Sequence, residues 1–182
     1  MITVLPLSKK EKTSKVYVVS DRKQLISLGF SEDEINYLNG FLKDDFEWKL
    51  INRLKEQIYV VKVSGKPTSK SQEKIRKSGA NITKSLNEFK QKEVAVYDKT
   101  KGEGYLSSIS EGMALANYQF LKYFKDAKNK TNTLKSIYAQ SKDISKEQLL
   151  ELNAIVEATF WARDIVNEPV SFLNAEELSN QI

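Results

Sequence analysis

The chain has 182 residues, with 29 lysines and arginines against 24 acidic residues, a net charge of +5, and neither histidine nor cysteine. Zinc sites of the usual nitrogen and sulfur kind need imidazole or thiolate, and nucleophilic triads need an imidazole base, so both are excluded. Carboxylate, lysine, tyrosine and serine chemistry stays open. No apolar run approaches the roughly 20 residues of a membrane helix, and the N-terminus lacks the order of a signal peptide. These features predict a cytoplasmic protein without a membrane partner.

Short strands and helices alternate along the first half of the chain. Apolar runs predict strands over residues 2–5, 15–20, 47–51 and 57–63. The last of these is almost continuously apolar, which is typical of a strand buried on both faces. A capping box at Ser31 and Glu34 begins a helix that we expect to reach about residue 44. A second helix, over 69–89, carries a core-facing stripe at Ile75, Gly79, Ile82, Leu86 and Phe89.

The second half of the chain continues the same alternation. Strands are expected over 94–97 and 134–139. Between them we predict a helix whose apolar stripe comprises Ile109, Met113, Ala116, Phe120, Tyr123 and Phe124. At this spacing the aromatic cluster of Tyr118, Phe120, Tyr123 and Phe124 is expected in the core. The capping box of Ser145 and Gln148 begins a long helix that runs through Leu152, Ile155, Thr159, Ala162 and Val166 and ends at Pro169. Asn174 then caps one more helix.

This alternation predicts an α/β fold with three layers, in which helices cover both faces of a mixed sheet. We divide the chain into an N-terminal α/β domain over residues 1–144, a linker helix over 145–169 and the start of a further domain over 170–182. Because the last helix has just been capped when the sequence ends, we expect the chain to be an N-terminal fragment of a longer protein.

Candidate sites for chemistry are few. The Gly65-Lys66 turn lacks the upstream glycine of a phosphate-binding loop, and Pro67 interrupts it. The run from Gly102 to Gly104 lacks the third glycine of a dinucleotide fingerprint. The carboxylate groups, which are Asp44 with Asp45, Glu176 with Glu177, and residues 32–34, fall at helix ends where solvation and the helix dipole favour them. The sequence therefore predicts no catalytic, cofactor-binding or metal-ligating residue in this chain.

Basic charge is concentrated in residues 66–92. This stretch holds eight basic residues against Glu73 and Glu88, a local excess of +6, which leaves about −1 on the remainder. The basic residues are Lys66, Lys70, Lys74, Arg76, Lys77, Lys84, Lys90 and Lys92. The helix could contact nucleic-acid phosphates. The interpretation we prefer is a solvated face opposite the apolar stripe, since no aromatics are interleaved to stack bases.

Several stretches, in the same order along the chain, resemble the leucyl aminopeptidase (M17, cytosol aminopeptidase) family. Residues 161–169 read Trp-Ala-Arg-Asp-Ile-Val-Asn-Glu-Pro and resemble the family's interdomain helix, which ends in Arg-Asp-Leu-x-Asn-Glu-Pro. Leu173 and residues 175–178 resemble the helix that follows. Residues 60–66 and 75–80 resemble a strand, turn and helix of the family's N-terminal domain. Another family helix reads Glu-Gly-x-x-Leu-x-x-Tyr-x-Phe and is similar to the segment with Glu111, Gly112, Leu115, Tyr118, Phe120, Tyr123 and Lys125. Two departures change only linker turns: Val170-Ser171 follows the proline, and Asn174-Ala175 replaces the usual Thr-Pro.

The resemblance implies that this is the non-catalytic N-terminal domain of a leucyl aminopeptidase, with a fold similar to macro domains. It implies a C-terminal catalytic domain as partner, where two divalent metals, Zn or Mn, activate a water that hydrolyses the N-terminal residue of a peptide substrate. It further implies a homo-hexamer. The family's metal-binding motif, Asn-Thr-Asp-Ala-Glu-Gly-Arg, and its lysine-bearing catalytic loop do not occur in these residues. No family catalytic or metal residue can therefore be assigned here, and we expect a structural and regulatory module.

Overall fold

The fold is that of a computed structural model, which describes residues 2–7, 12, 14–41, 45–100, 104–140 and 144–181. Its strands are β1 (Thr3–Pro6), β2 (Ser14–Val19), β3 (Trp48–Asn52), β4 (Gln57–Lys62), β5 (Glu93–Asp98) and β6 (Ser136–Ala139). Its helices are α1 (Arg22–Ser27), α2 (Glu32–Phe41), α3 (Ser69–Glu88), α4 (Tyr105–Ala116), α5 (Ala127–Lys130), α6 (Lys146–Asn167) and α7 (Ala175–Gln181). Strands and helices alternate as the sequence predicts.

The six strands form one sheet in the order β1-β6-β5-β2-β4-β3. All neighbouring strands are parallel except β3, which runs antiparallel to β4 at one edge. The sheet is therefore mixed, as expected. The parallel strands all end at the same edge of the sheet, where α/β proteins commonly bind ligands.

Helices cover both faces of this sheet and divide the core into two clusters. On one face α3, α4 and α6 pack against the sheet, and on the other α1 and α2 pack over the β2, β4 and β3 half. Strand β4 contributes Tyr59 and Val61 to the first cluster and Ile58 and Val60 to the second, so it is buried on both faces. The three-layer α/β prediction is confirmed.

Two glycines allow α3 and α4 to approach closely. A Cβ atom on Gly79 would lie 2.5 Å from the carbonyl oxygen of Ile109, and one on Gly112 would lie 2.2 Å from the carbonyl oxygen of Arg76. Both obstacles are backbone atoms, which cannot rotate away as a side chain can. The hydroxyl of Thr83 donates to the carbonyl oxygen of Met113 (3.0 Å) and ties the same two helices together.

The predicted helix starts are confirmed at their caps. The backbone N–H of Gln148 donates to Ser145 Oγ (3.2 Å), and the Gln148 side chain accepts from the Ser145 N–H (2.8 Å). A similar reciprocal pair joins Ser31 and Glu34. Asn174 Oδ1 accepts from the Glu177 N–H (2.9 Å). Each of these side chains satisfies a backbone donor that the first helical turn leaves without a partner.

The prediction of one helix from Ile109 to Phe124 is wrong, because α4 ends at Ala116. The side chain of Asn117 donates to the Leu134 carbonyl oxygen (3.0 Å), and the Asn132 side chain donates to the carbonyl oxygen of Asn117 (3.2 Å). Asn132 thus occupies the carbonyl oxygen of Asn117, the C-cap residue, in place of a further helical N–H. The aromatic cluster therefore leaves the predicted core: Tyr118 and Phe120 are half-buried, and Tyr123 and Phe124 are exposed.

Three smaller differences concern single elements. The α3 stripe loses its last member, since Phe89 follows the end of the helix and is exposed. Helix α1 is not predicted; it is only six residues long and is capped by Asp21, which accepts from the Gln24 N–H (3.0 Å). Strand β6 begins at Ser136, two residues after the predicted start. Residues 42–44, at the expected end of α2, lie outside the described residues.

Candidate functional site

One face of helix α6 packs on the domain. Leu149, Leu152 and Val156 are buried in the larger core cluster. Between them, the side-chain amide of Asn153 accepts from the N–H of Val4 (2.9 Å) and donates to its carbonyl oxygen (2.8 Å). Because β1 lies at the edge of the sheet, this amide pairs backbone groups that no further strand reaches.

Several large apolar side chains of α6 and of the turn after it are exposed. Val166 is 83% exposed, and Val170, just beyond the helix, is 81% exposed. The other exposed large apolar residues of this region are Leu150, Ile155, Trp161 and Phe172. We call these six residues the outer face. The sequence offers one signal for them, because α6 carries more apolar positions than one buried stripe needs.

A non-helical segment, residues 118–123, crosses the C-terminal end of α6 and binds it through two tyrosines and a lysine. The Tyr118 hydroxyl donates to Asp164 Oδ1 (2.8 Å) and accepts from Asn167 Nδ2 (3.1 Å). One turn further, Glu168 accepts from Lys122 Nζ and from the Tyr123 hydroxyl, each at 2.5 Å.

Arg163 adds a third contact to this junction. Its Nη1 donates to the carbonyl oxygen of Leu115 (2.8 Å) near the end of α4, and its guanidinium carbon lies 5.4 Å from the centroid of the Tyr118 ring. Arg163, Asp164, Asn167 and Glu168 are the residues of the Arg-Asp-x-x-Asn-Glu-Pro resemblance. Their partners come from the other resembling segment, so the two stretches bind each other.

The ionisable groups at this junction shift each other's pKa values. Hydrogen bonds from Lys122 and Tyr123 hold the pKa of the Glu168 carboxyl below its usual value. The bond to Glu168 raises the pKa of Lys122 and that of Tyr123. The Glu168 side chain is only 12% exposed while that of Lys122 is 60% exposed, so the carboxylate is the shielded member of the pair. Burial raises the pKa of Tyr118, and its bond to Asp164 raises it further.

A groove of about 680 Å³ lies between the 118–123 segment and α6. Its walls include Tyr118, Leu121, Glu157, Phe160 and Trp161. The Tyr118 and Phe160 rings meet edge to face, with centroids 5.2 Å apart. The groove is open and mostly apolar, and it continues into the outer face at Trp161.

The Gly65-Lys66 turn is an ordinary connection from β4 to α3. Gly65 has a φ of +68°, and Thr68 caps α3 by accepting from the Ser71 N–H (3.2 Å). The Tyr105 hydroxyl donates to the Gly65 carbonyl oxygen (3.2 Å), so a side chain occupies the space beside this turn. Gly102 and Glu103 of the other glycine-bearing turn lie outside the described residues.

Asp98 is a buried carboxylate that the sequence analysis did not single out. It ends β5 and accepts from the Thr100 N–H (2.9 Å) and the Tyr105 N–H (3.2 Å), which joins the strand to the start of α4. A cavity of about 200 Å³ beside Ser20 and Lys62 lies at this edge of the sheet. It is smaller than the roughly 300 Å³ at which ligand pockets usually begin.

The predicted carboxylate groups lie apart from one another. Glu176 and Glu177 are exposed in the first turn of α7. Glu34 binds Arg53 Nε (2.6 Å), and Asp45 lies 3.8 Å from Lys62 Nζ. Asp44 lies outside the described residues.

In the basic stretch, four lysines of α3 share one exposed stripe: Lys70, Lys74, Lys77 and Lys84. Their offsets of 0, 4, 7 and 14 place them on one helical face. Arg76 is held elsewhere, because its Nε donates to Glu111 Oε2 (2.7 Å) across the α3–α4 contact. A groove of about 620 Å³ beside this stripe is lined by Trp48 and Lys49 as well as by Lys74 and Lys77.

The part of the chain that the structure describes lacks two kinds of feature. It contains no group of three or more acidic residues placed to hold a metal ion together. No helix within it has both the length and the hydropathy that a membrane crossing requires.

Comparison with known proteins shows which family the chain resembles. Residues 55–128 match the model of the N-terminal domain of the cytosol aminopeptidase family. A probable cytosol aminopeptidase of Clostridium perfringens (strain 13 / Type A) is 28% identical over 127 residues, which cover 65% of this chain and 26% of that protein. One from Aquifex aeolicus (strain VF5) is 27% identical over 128 residues, which cover 68% of this chain and 25% of that protein. These matches confirm the resemblance of the chain to the N-terminal domain of the cytosol aminopeptidase (M17) family.

The fold also matches a solved structure. A tomato leucine aminopeptidase mutant superimposes with a TM-score of 0.72 at 13% identity, covering all of this chain and 41% of that one. At this identity the match shows only that the two folds are similar. The chain spans about a quarter of the length of the curated relatives it matches.

Proposed function

We propose that this chain is the non-catalytic N-terminal module of a metal-dependent leucyl aminopeptidase, which removes N-terminal residues from peptides in the cytoplasm. The observation that carries the proposal is the family match over residues 55–128. The mutual binding of Arg163, Asp164, Asn167 and Glu168 with the 118–123 segment supports it, because these are the residues that resemble the family's interdomain junction.

The partner in this proposal is the catalytic domain of the same protein, in a homo-hexamer. The proposed domain division keeps residues 1–144 as the α/β domain, 145–169 as the linker helix and 170–182 as the start of the catalytic domain. The outer face of α6 supports this arrangement, because Trp161, Val166 and Phe172 expose apolar surface next to the proposed boundary. Burying such side chains against a partner contributes roughly 25 cal/mol per Å² of apolar area.

The two metal ions of the proposal, Zn or Mn, belong to the catalytic domain. The described residues of this chain do not fit them, since no group of three or more acidic side chains comes together there. The family's metal-binding motif is also missing from the sequence. We therefore assign no catalytic, cofactor-binding or metal-ligating role to any residue here.

The direct test is to assay the 182-residue chain on a leucine anilide with Mn²⁺ or Zn²⁺, beside a full-length relative as a positive control. We expect no turnover and no stoichiometric metal uptake by the chain alone. Turnover, or one bound metal ion per chain, would contradict the proposed non-catalytic role.

A second candidate function is nucleic-acid binding by the lysine stripe of α3. The groove beside the stripe favours it, because Trp48 and Phe46 bring aromatic rings next to Lys74, whose Nζ lies 5.4 Å from the Phe46 centroid. These two rings provide surfaces for stacking bases, which the basic stretch itself lacks.

Salt dependence tests this candidate. If the stripe binds phosphates, replacing Lys70, Lys74, Lys77 and Lys84 by glutamine reduces the slope of log affinity against log salt by about 3 to 4. Replacing Lys125, Lys128, Lys130 and Lys146, four exposed lysines elsewhere on the chain, by glutamine is the control for net charge. DNA binding that responds equally to both sets, or to neither, would remove the candidate.

A further inference from the structure

We propose that residues 118–123 act as a strap, which locks the C-terminal end of α6 in one orientation on the domain. The strap has no helical or strand structure of its own. Three of its side chains, those of Tyr118, Lys122 and Tyr123, nevertheless bind the end of α6 and the residue after it. This pattern is expected of a segment that fixes the end of a helix to the rest of the domain.

The strap starts from rigid anchors. Asn117, immediately before it, is bound to the Leu134 carbonyl oxygen and to Asn87 Nδ2, both at 3.0 Å. Gln119, inside it, donates to the Lys130 carbonyl oxygen (3.0 Å) and accepts from the Asn132 N–H (2.6 Å). These bonds connect the strap to α3 and to the segment that leads into β6, so its position is set by the sheet side of the domain.

The strap grips α6 at successive turns. Tyr118 binds Asp164 and Asn167, which are three residues apart on one face of the helix. Lys122 and Tyr123 bind Glu168, the C-cap residue. Hydrogen bonds to a charged group are stronger than those between neutral groups, and solvent weakens them at an exposed site. Their value here is that two separate points fix both the position and the rotation of the helix end.

The strap also contacts the chain beyond the end of α6. The rings of Tyr123 and Phe172 lie with their centroids 5.7 Å apart, so the turn after Pro169 also rests on the strap. The strap thereby holds Val166, Val170 and Phe172 of the outer face in a fixed relation to the sheet. We infer that Tyr118, Lys122 and Tyr123 are positioning residues: they set the direction in which the chain leaves α6.

Hydrogen exchange of the chain tests the strap. The variants are Glu168→Gln, which removes the charge, and Tyr118→Phe, which removes only one hydroxyl. In both we expect amide exchange over residues 163–173 to rise about tenfold, as the loss of roughly 1.4 kcal/mol of local stability predicts. Exchange over residues 149–156, on the buried face of α6, should stay unchanged.

Glu157→Gln is the matched control, because Glu157 is an exposed carboxylate on the same helix outside the strap contacts. It should leave both regions unchanged. Unchanged exchange over 163–173 in Glu168→Gln and Tyr118→Phe would overturn the strap. So would an equal rise in both regions, which would mean general destabilisation, or the same rise in Glu157→Gln. All outcomes are measured on this chain and do not depend on the aminopeptidase assignment.

Discussion

Glu168 accepts hydrogen bonds from the side chains of Lys122 and Tyr123, and its own side chain is only 12% exposed. Its pKa lies below the usual 4.5 because Lys122 and Tyr123 stabilise the ionised carboxylate. A carboxylate whose folded pKa is lowered stabilises the protein fully above its unfolded pKa and loses that contribution as the pH falls through the folded value.

We therefore predict that Glu168→Gln weakens the pH dependence of stability below about pH 4.5. The free energy of unfolding of both proteins should be measured by urea titration at several pH values between about pH 3 and pH 6. The curves should differ most at the upper end and converge as the pH falls. Parallel curves over the whole range would show that Glu168 titrates like an exposed carboxyl group.

Gly112 illustrates how one residue sets a helix contact. A Cβ atom there would meet the carbonyl oxygen, Cα and carbonyl carbon of Arg76 at 2.2, 2.5 and 2.7 Å. Since all three are backbone atoms, α3 and α4 would have to separate.

We predict that Gly112→Ala lowers the free energy of unfolding by about 1 to 3 kcal/mol, as overpacking usually does. The control is Gly40→Ala in α2, where a Cβ atom would meet nothing within 4 Å. That change should be neutral or stabilising by up to about 1 kcal/mol, because alanine is the better helix former. Equal effects of the two substitutions, measured by urea unfolding, would mean that the helices are not in close contact.

At the scale of elements, α6 carries buried and exposed apolar side chains with different roles. Leu152 lies in the core, whereas Leu150, two positions earlier, is 62% exposed. We predict that Leu152→Ala costs about 2 to 5 kcal/mol and Leu150→Ala less than about 0.5 kcal/mol. Thermal or urea unfolding of this chain measures both. A large loss in Leu150→Ala would show that the outer face is already covered in the isolated chain.

Most elements could be predicted from the sequence because local signals mark them. The capping residues Ser31, Ser145 and Asn174 identify helix starts, and the apolar run of β4 identifies a strand with two buried faces. The end of α4 could not be predicted, because Asn117 binds Leu134 and Asn132, more than ten residues away along the chain. Helix α1 could not be predicted because its six residues are too few to show a helical periodicity of apolar residues.

The same limit explains what was missed at the candidate site. The residues of the strap and of the α6 end were visible as two family-like stretches, but their spacing of about 46 residues gives no sign that they bind each other. The lysine stripe was predicted as a charge excess. Only the fold places Trp48 beside it and removes Arg76 to the contact with Glu111.

At the scale of the whole molecule, alternation of strands and helices was enough for the three-layer class. The strand order β1-β6-β5-β2-β4-β3 could not be predicted from this alternation. Strand β2, at the centre, pairs with β4 and β5 through crossovers that leave no local sequence pattern. Under the proposed function, we expect the exposed apolar residues at the end of α6 to contact the catalytic domain.

The central claim is that this chain works as the N-terminal module of an aminopeptidase. The most direct measurement is to purify the endogenous protein from its source cells with an antibody raised against this chain, and to assay leucine-anilide hydrolysis in the purified material. We predict metal-dependent hydrolysis that a chelator abolishes, carried by a polypeptide that reacts with the antibody, and no hydrolysis by the 182-residue chain alone. Purified antigen without aminopeptidase activity would contradict the claim.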